Sequence, residues 1–95
     1  MDKLKKLREK EKEFKDFKPQ GWSRFAHMDV TKWGAFRDAR KFLKEGGPSV
    51  GIYWIPKGAK PGKDGKKEHY TYKVTEGFFE KGWKGKGWVK IAEIN

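Results

Sequence analysis

Cysteine is absent from the chain, which removes disulfides, thiolate catalysis and Cys-ligated zinc or iron–sulfur centres from consideration. Histidine is scarce: His27 and His69 are the only two, so a metal site would have to recruit carboxylates from distant segments. No apolar run approaches the roughly 20 residues that span a bilayer. The stretch after Met1 has no apolar core of the kind a secretory signal carries, so a cytoplasmic setting without membrane attachment is the expectation. Hydrophobic residues are few, 35% of the chain against 39% charged, a balance that gives disorder when aromatics are scarce as well. Here they are not: five Trp, seven Phe and three Tyr make up 16% of the chain, and each ring buries a large area. The 95 residues then suffice for a single domain, 1–95, whose core is built from few, large side chains.

What is abundant is positive charge. Lys and Arg number 24 against 13 Asp and Glu, a formal charge of +11. Such an excess repels itself in the folded state unless a polyanion or an acidic partner relieves it. Nucleic acid, DNA or RNA, is the leading partner; no cofactor is implied.

Residues 1–18 read as an amphipathic basic helix, with Leu4, Leu7, Phe14 and Phe17 along one side and Glu11 interrupting the stripe. Pro19-Gln20-Gly21 is the stop signal. Residues 22–47 hold a connector, Trp22 to Met28, and a second helix from Val30 to about Glu45, with Asp29 as N-cap and Gly46-Gly47-Pro48 closing it. Val30, Trp33, Phe36, Ala39, Phe42 and Leu43 form its apolar face, leaving Arg37, Arg40, Lys41 and Lys44 on the remainder.

Residues 48–95 read as an antiparallel sheet with Lys/Gly-rich loops. Val50-Gly51-Ile52-Tyr53-Trp54-Ile55, β-branched and aromatic, is its spine strand. Tyr70, Tyr72 and Val74 alternate with His69, Thr71 and Lys73 in a second strand. Phe78 to Trp83 reads as a third strand, and Trp88 to Ile94 as the last, with Val89 and Ile91 sharing one face and Trp88 and Lys90 the other. Lys84-Gly85-Lys86-Gly87 is then a hairpin loop that sets Trp83 opposite Trp88. The expected fold is α+β: two N-terminal helices packed on a four-stranded antiparallel β-meander.

Two stretches carry the chemistry. The arm Lys57, Lys60, Lys63, Lys66, Lys67, relieved only by Asp64, reads as a flexible projection that tracks a phosphate backbone without reading bases. The hairpin interleaves Lys81, Trp83, Lys84, Lys86, Trp88 and Lys90 with glycines. Glycine lets backbone approach a ligand, lysine attracts phosphate, and an exposed indole stacks on a base for about 1–3 kcal/mol. The bland reading of the two Trp is a cross-strand pair that stabilises a glycine-weakened hairpin. Arg37, Arg40 and Lys44 extend the surface if the second helix borders the sheet edge.

The expectation is a binding protein and not an enzyme. An alternative reading is a small protein, of viral type, that binds and inhibits a nucleic-acid-processing protein complex, with its aromatics as anchors. A metal-independent ribonuclease built on His69 with Glu68, Glu76, Arg37 or Arg40 ranks third. Gly51-Ile52-Tyr53 matches the first triplet of the GIY-YIG nucleases. Tyr70-Thr71-Tyr72 stands where the second should be, so no role carries over.

Overall fold

The computed structural model describes residues 2–16, 32–67, 71–76 and 84–95. Among these residues two helices, α1 (Lys3–Glu13) and α2 (Lys32–Lys44), precede three strands, β1 (Val50–Ile55), β2 (Thr71–Thr75) and β3 (Val89–Ile94). The sheet is antiparallel in the order β2-β1-β3. The expected α+β class holds, but the four-stranded meander does not. In a meander the last strand would pair with the one preceding it, whereas β3 pairs with β1, from Val50 opposite Ile94 to Trp54 opposite Val89. The spine strand is thus central, flanked on both sides, and buried at all six positions. A strand buried on both faces reads as continuous apolar sequence, as this one does. The strand expected at Phe78–Trp83 lies outside the described residues.

Alternation sorts the sheet into two faces. Val50, Ile52 and Trp54 join Tyr72, Ala92 and Ile94 in a core shared with Leu7, Ala35, Phe36 and Ala39 of the helices. Tyr72 and Val74 face this core as their spacing implies. In β3 the expected alternation fails, because Ile52 pairs with Ala92 but Tyr53 with Lys90. The extra residue, Ile91, is a bulge. It lets Ile91, Ala92 and Ile94 all be buried and turns Glu93 to the reverse face.

α1 ends at Glu13, short of the expected Lys18. Its termination comes from α2: the Lys32 ammonium donates to the carbonyls of Phe14 and Lys15, 2.6 Å to each, satisfying acceptors that a helix end leaves open. The ammonium does this from a side chain only 5% exposed. α2 begins at Lys32, and the Asp29 cap and the connector Trp22–Met28 lie outside the described residues. Its end follows the glycine signal. The Gly46 amide donates to Leu43 and the Gly47 amide to Phe42, at 3.1 and 3.0 Å, with Gly46 at φ +94°, which is a Schellman cap.

Glu11, which breaks the apolar stripe of α1, sits at the seam between the helices and accepts from Arg40 Nη1 at 2.6 Å. Trp33 departs from its expected place in the apolar face of α2 and is 52% exposed. No helix among the described residues is long and apolar enough to cross a membrane.

Candidate nucleic-acid interface

Because β1 runs against both neighbours, the end of β1 and the starts of β2 and β3 meet at one end of the sheet. The arm 56–67 and the turn 84–88 both leave from there. They do not project separately. The Lys60 amide donates to the Lys86 carbonyl at 2.9 Å, and the Trp88 indole Nε1–H donates to the Lys60 carbonyl at 2.9 Å. Further along, Asp64 takes the Lys73 ammonium of β2 at 2.5 Å and the Lys66 amide at 3.1 Å. The arm expected to project is therefore a strap, tied at one point to the turn before β3 and at another to β2. Lys73 pairs with Tyr53 in register, so the strap crosses the face opposite the helices.

Two glycines make the docking possible by lacking a side chain. A Cβ on Gly85 would lie 1.8 Å from the Lys60 carbonyl oxygen and 2.6 Å from Trp88 Nε1. A Cβ on Gly51 would lie 2.8 Å from the Tyr53 ring and 2.9 Å from its hydroxyl. Tyr53 leans over Gly51 and donates its hydroxyl to Glu93 at 2.5 Å, the residue opposite Gly51 in the ladder.

Beneath the strap lies a small polar cluster. Lys84 Nζ is 3.3 Å from Glu93 and 5.1 Å from the Tyr53 ring centroid, and Trp88 stacks obliquely on Tyr53 at 6.0 Å. Burial pushes the Tyr53 hydroxyl well above its ordinary range, helped by the neighbouring carboxylate. Burial also acts to raise the Glu93 carboxyl, but the Tyr53 hydroxyl and Lys84 outweigh it and hold the group below its ordinary value. Asp64 is lowered by its hydrogen bonds from Lys73 and from the Lys66 amide.

The sequence-derived site residues separate into four groups. Lys57, Lys60, Lys63, Lys66 and Lys67 on the strap, and Lys84, Lys86 and Lys90 beside it, are all exposed. Of these, Lys84 alone has an ion-pair partner among the described residues. Trp88 is half-buried, its N–H spent on Lys60, so it anchors the strap and is not an open stacking platform. Arg37 and Arg40 belong to the helix layer, on the other face of the sheet from the strap. Arg40 is engaged by Glu11, and Arg37 lies 3.8 Å from Asp38. Lys81 and Trp83 lie outside the described residues, as do His27, His69 and Glu68. Among the described residues no three His, Asp or Glu side chains are grouped to hold a metal ion.

Sequence reasoning missed the clamp Lys73 and read Lys84 as a phosphate contact, whereas Lys73 pairs with Asp64 and Lys84 with Glu93. It also missed a cleft between the helices, lined by Arg8, Glu11, Lys12, Lys15, Trp33, Arg40 and Lys44. That cleft was legible in principle, since Arg8, Lys12 and Lys15 repeat at helical spacing, as do Trp33, Arg40 and Lys44.

Among the described residues the geometry defines an α+β arrangement of two helices on a three-stranded sheet, with a lysine-bearing strap across the far face. No protein-family model matches the chain, and neither a curated protein nor a solved structure shows significant similarity to it.

Proposed function

We propose that the chain binds nucleic acid through the phosphate backbone, using the strap Lys57–Lys67 with Lys86 and Lys90, and that this binding, not catalysis, is its role. The observation that supports the reading is the docking of strap and turn into one body. It sets Lys57, Lys60, Lys63, Lys66 and Lys67 beside Lys86 and Lys90 on two segments tied by the Lys60–Lys86 and Trp88–Lys60 hydrogen bonds, with none of these ammonium groups within ion-pair distance of a described carboxylate. Unpaired ammonium groups held on a fixed path gain from a polyanion without first breaking internal bridges. Lysine acts as a point charge, so little base preference is expected.

The test is a salt titration of binding to a labelled duplex. If about four lysines meet phosphates together, the slope of log K against log salt is about −3.6, a weakening of roughly a hundredfold between about 50 and 200 mM. Removing Lys63 and Lys86 together lowers the slope by about 1.8. A slope near zero in the unaltered protein would overturn the reading.

A further inference from the structure

The helix layer carries a second electropositive feature that the strap does not account for. Arg8, Lys12 and Lys15 line one side of an open cleft of about 470 Å³, Trp33, Arg40 and Lys44 line the other, and Glu11 is also among its lining residues. Five cationic side chains face a single carboxylate there. That carboxylate is already occupied by Arg40 at 2.6 Å, which spends one of the five N–H donors of the guanidinium and fixes its orientation. Arg8, Lys12, Lys15 and Lys44 have no ion-pair partner among the described residues. Beside them stands Trp33, half exposed, with the Lys32 ammonium 5.0 Å from its ring centroid and the rest of the indole open.

A cleft needs this combination for a ligand that is part anion and part flat ring. Guanidinium and ammonium groups suit a phosphate, an exposed indole suits a base, and the volume is that of a small-molecule site. We infer that the interhelical cleft is a nucleotide-binding site, in which Arg8, Lys12 and Arg40 hold phosphate and Trp33 stacks the base. The nucleotide is either free or one unit of a bound strand. The site stands independently of the strap, since it is built on the opposite layer of the molecule.

The experiment is an NMR titration of the full chain with tripolyphosphate, ATP and a short oligothymidylate, following the Trp33 indole N–H, assigned with Trp33→Phe. Expected is a shift of that resonance with ATP or with the oligonucleotide but not with tripolyphosphate. ATP should bind about tenfold tighter than tripolyphosphate through stacking, an advantage that Trp33→Ala removes and Trp33→Phe largely keeps. The double variant Arg8→Ala/Lys12→Ala, two exposed positions, should weaken ATP and tripolyphosphate alike by tenfold or more. A response to ATP identifies a free nucleotide as sufficient; a response to the oligonucleotide alone identifies a strand. A Trp33 indole silent to both ATP and the oligonucleotide would overturn the inference by reducing the cleft to diffuse attraction, as would a Trp33 response to ATP with no gain in affinity over tripolyphosphate. The variant Lys63→Ala/Lys86→Ala separates the two proposals. Oligonucleotide binding lost in this variant, with Trp33 silent in the unaltered protein, leaves the strap reading standing and the cleft refuted. A Trp33 response that persists in the variant supports the cleft whatever becomes of the strap.

Discussion

Replacing Gly85 with alanine tests whether strap and turn are one body. The Cβ would sit 1.8 Å from the Lys60 carbonyl oxygen, whereas carbon and oxygen approach comfortably only to about 3.3 Å. The obstacle is backbone, so no rotamer change relieves it and the strap must lift by about 1.5 Å. Two hydrogen bonds then lengthen past their useful range, Lys60 N–H to Lys86 and Trp88 Nε1–H to Lys60, both 2.9 Å in the native arrangement. At about 1 kcal/mol each, the docked state loses about 2 kcal/mol, or roughly thirtyfold in the local opening equilibrium. Hydrogen exchange read by NMR measures this directly. The Lys60 amide and the Trp88 indole should exchange about thirtyfold faster, while amides in the β1–β2 ladder keep their rates. Gly58→Ala is the control, because Gly58 has φ +88° but a Cβ added there would meet nothing within 4 Å: it strains the strap without pushing it off. Unchanged protection of Lys60 and Trp88 in Gly85→Ala would refute the clamp, and with it the continuity of the proposed interface.

Three further outcomes follow from the described contacts. Tyr72 has a buried hydroxyl with no hydrogen-bond partner among the described residues, and burial raises its pKa. Tyr72→Phe should therefore leave stability unchanged or raise it by up to about 1 kcal/mol, a Tm gain of about 4–8 °C by calorimetry, and a loss of similar size would count against the unpaired hydroxyl. Lys32→Met should cost about 1–3 kcal/mol in urea unfolding by orphaning the carbonyls at the end of α1, and a neutral result would show that water replaces the ammonium. Glu93 and Asp64 are lowered from 4.5 and 3.8, so their contribution is complete above those values and is lost as pH falls through the lower native ones. Glu93→Gln, which keeps an acceptor for Tyr53, should flatten the decline of stability below about pH 4.5 in a urea series; an unaltered decline would deny Glu93 a part in it.

How far the sequence anticipates this fold depends on what kind of force decides each feature. Where local backbone chemistry rules, the reading holds: Gly46-Gly47 ends α2 as a positive-φ glycine should, and Val50–Ile55 is a strand in the centre of the sheet. Where pairing between distant segments rules, it fails. Nothing local in Val89–Ile94 says that it pairs with β1, and the bulge at Ile91, which reverses the apparent faces, exists only in that pairing. α1 ends at Glu13, where a lysine from another helix takes the carbonyls of Phe14 and Lys15, and the stop signal expected at Pro19-Gln20-Gly21 lies outside the described residues. Lys57–Lys67 has the composition of a free loop, yet two hydrogen bonds to the β3 turn and one ion pair to β2 fix it. The exposure of the loop lysines was legible from composition, but which lysines are spent on structure was not.

That division of labour has a physical logic in a chain with so large a positive excess. Among the described residues three carboxylates cross-link separate segments: Glu11 joins the helices through Arg40, Asp64 ties the strap to β2 through Lys73, and Glu93 holds the turn before β3 through Lys84. Each is at least partly sheltered, with side-chain exposure of 22%, 26% and 24%, where an ion pair is less screened than on open surface. Acids used in this way cannot also neutralise the outer lysines, so the residual charge is pushed to the strap on one face and the cleft on the other. Spreading like charge over two faces separated by a sheet lowers the self-repulsion of the free protein. It also concentrates unpaired positive charge on each face separately, which is the condition both proposals share.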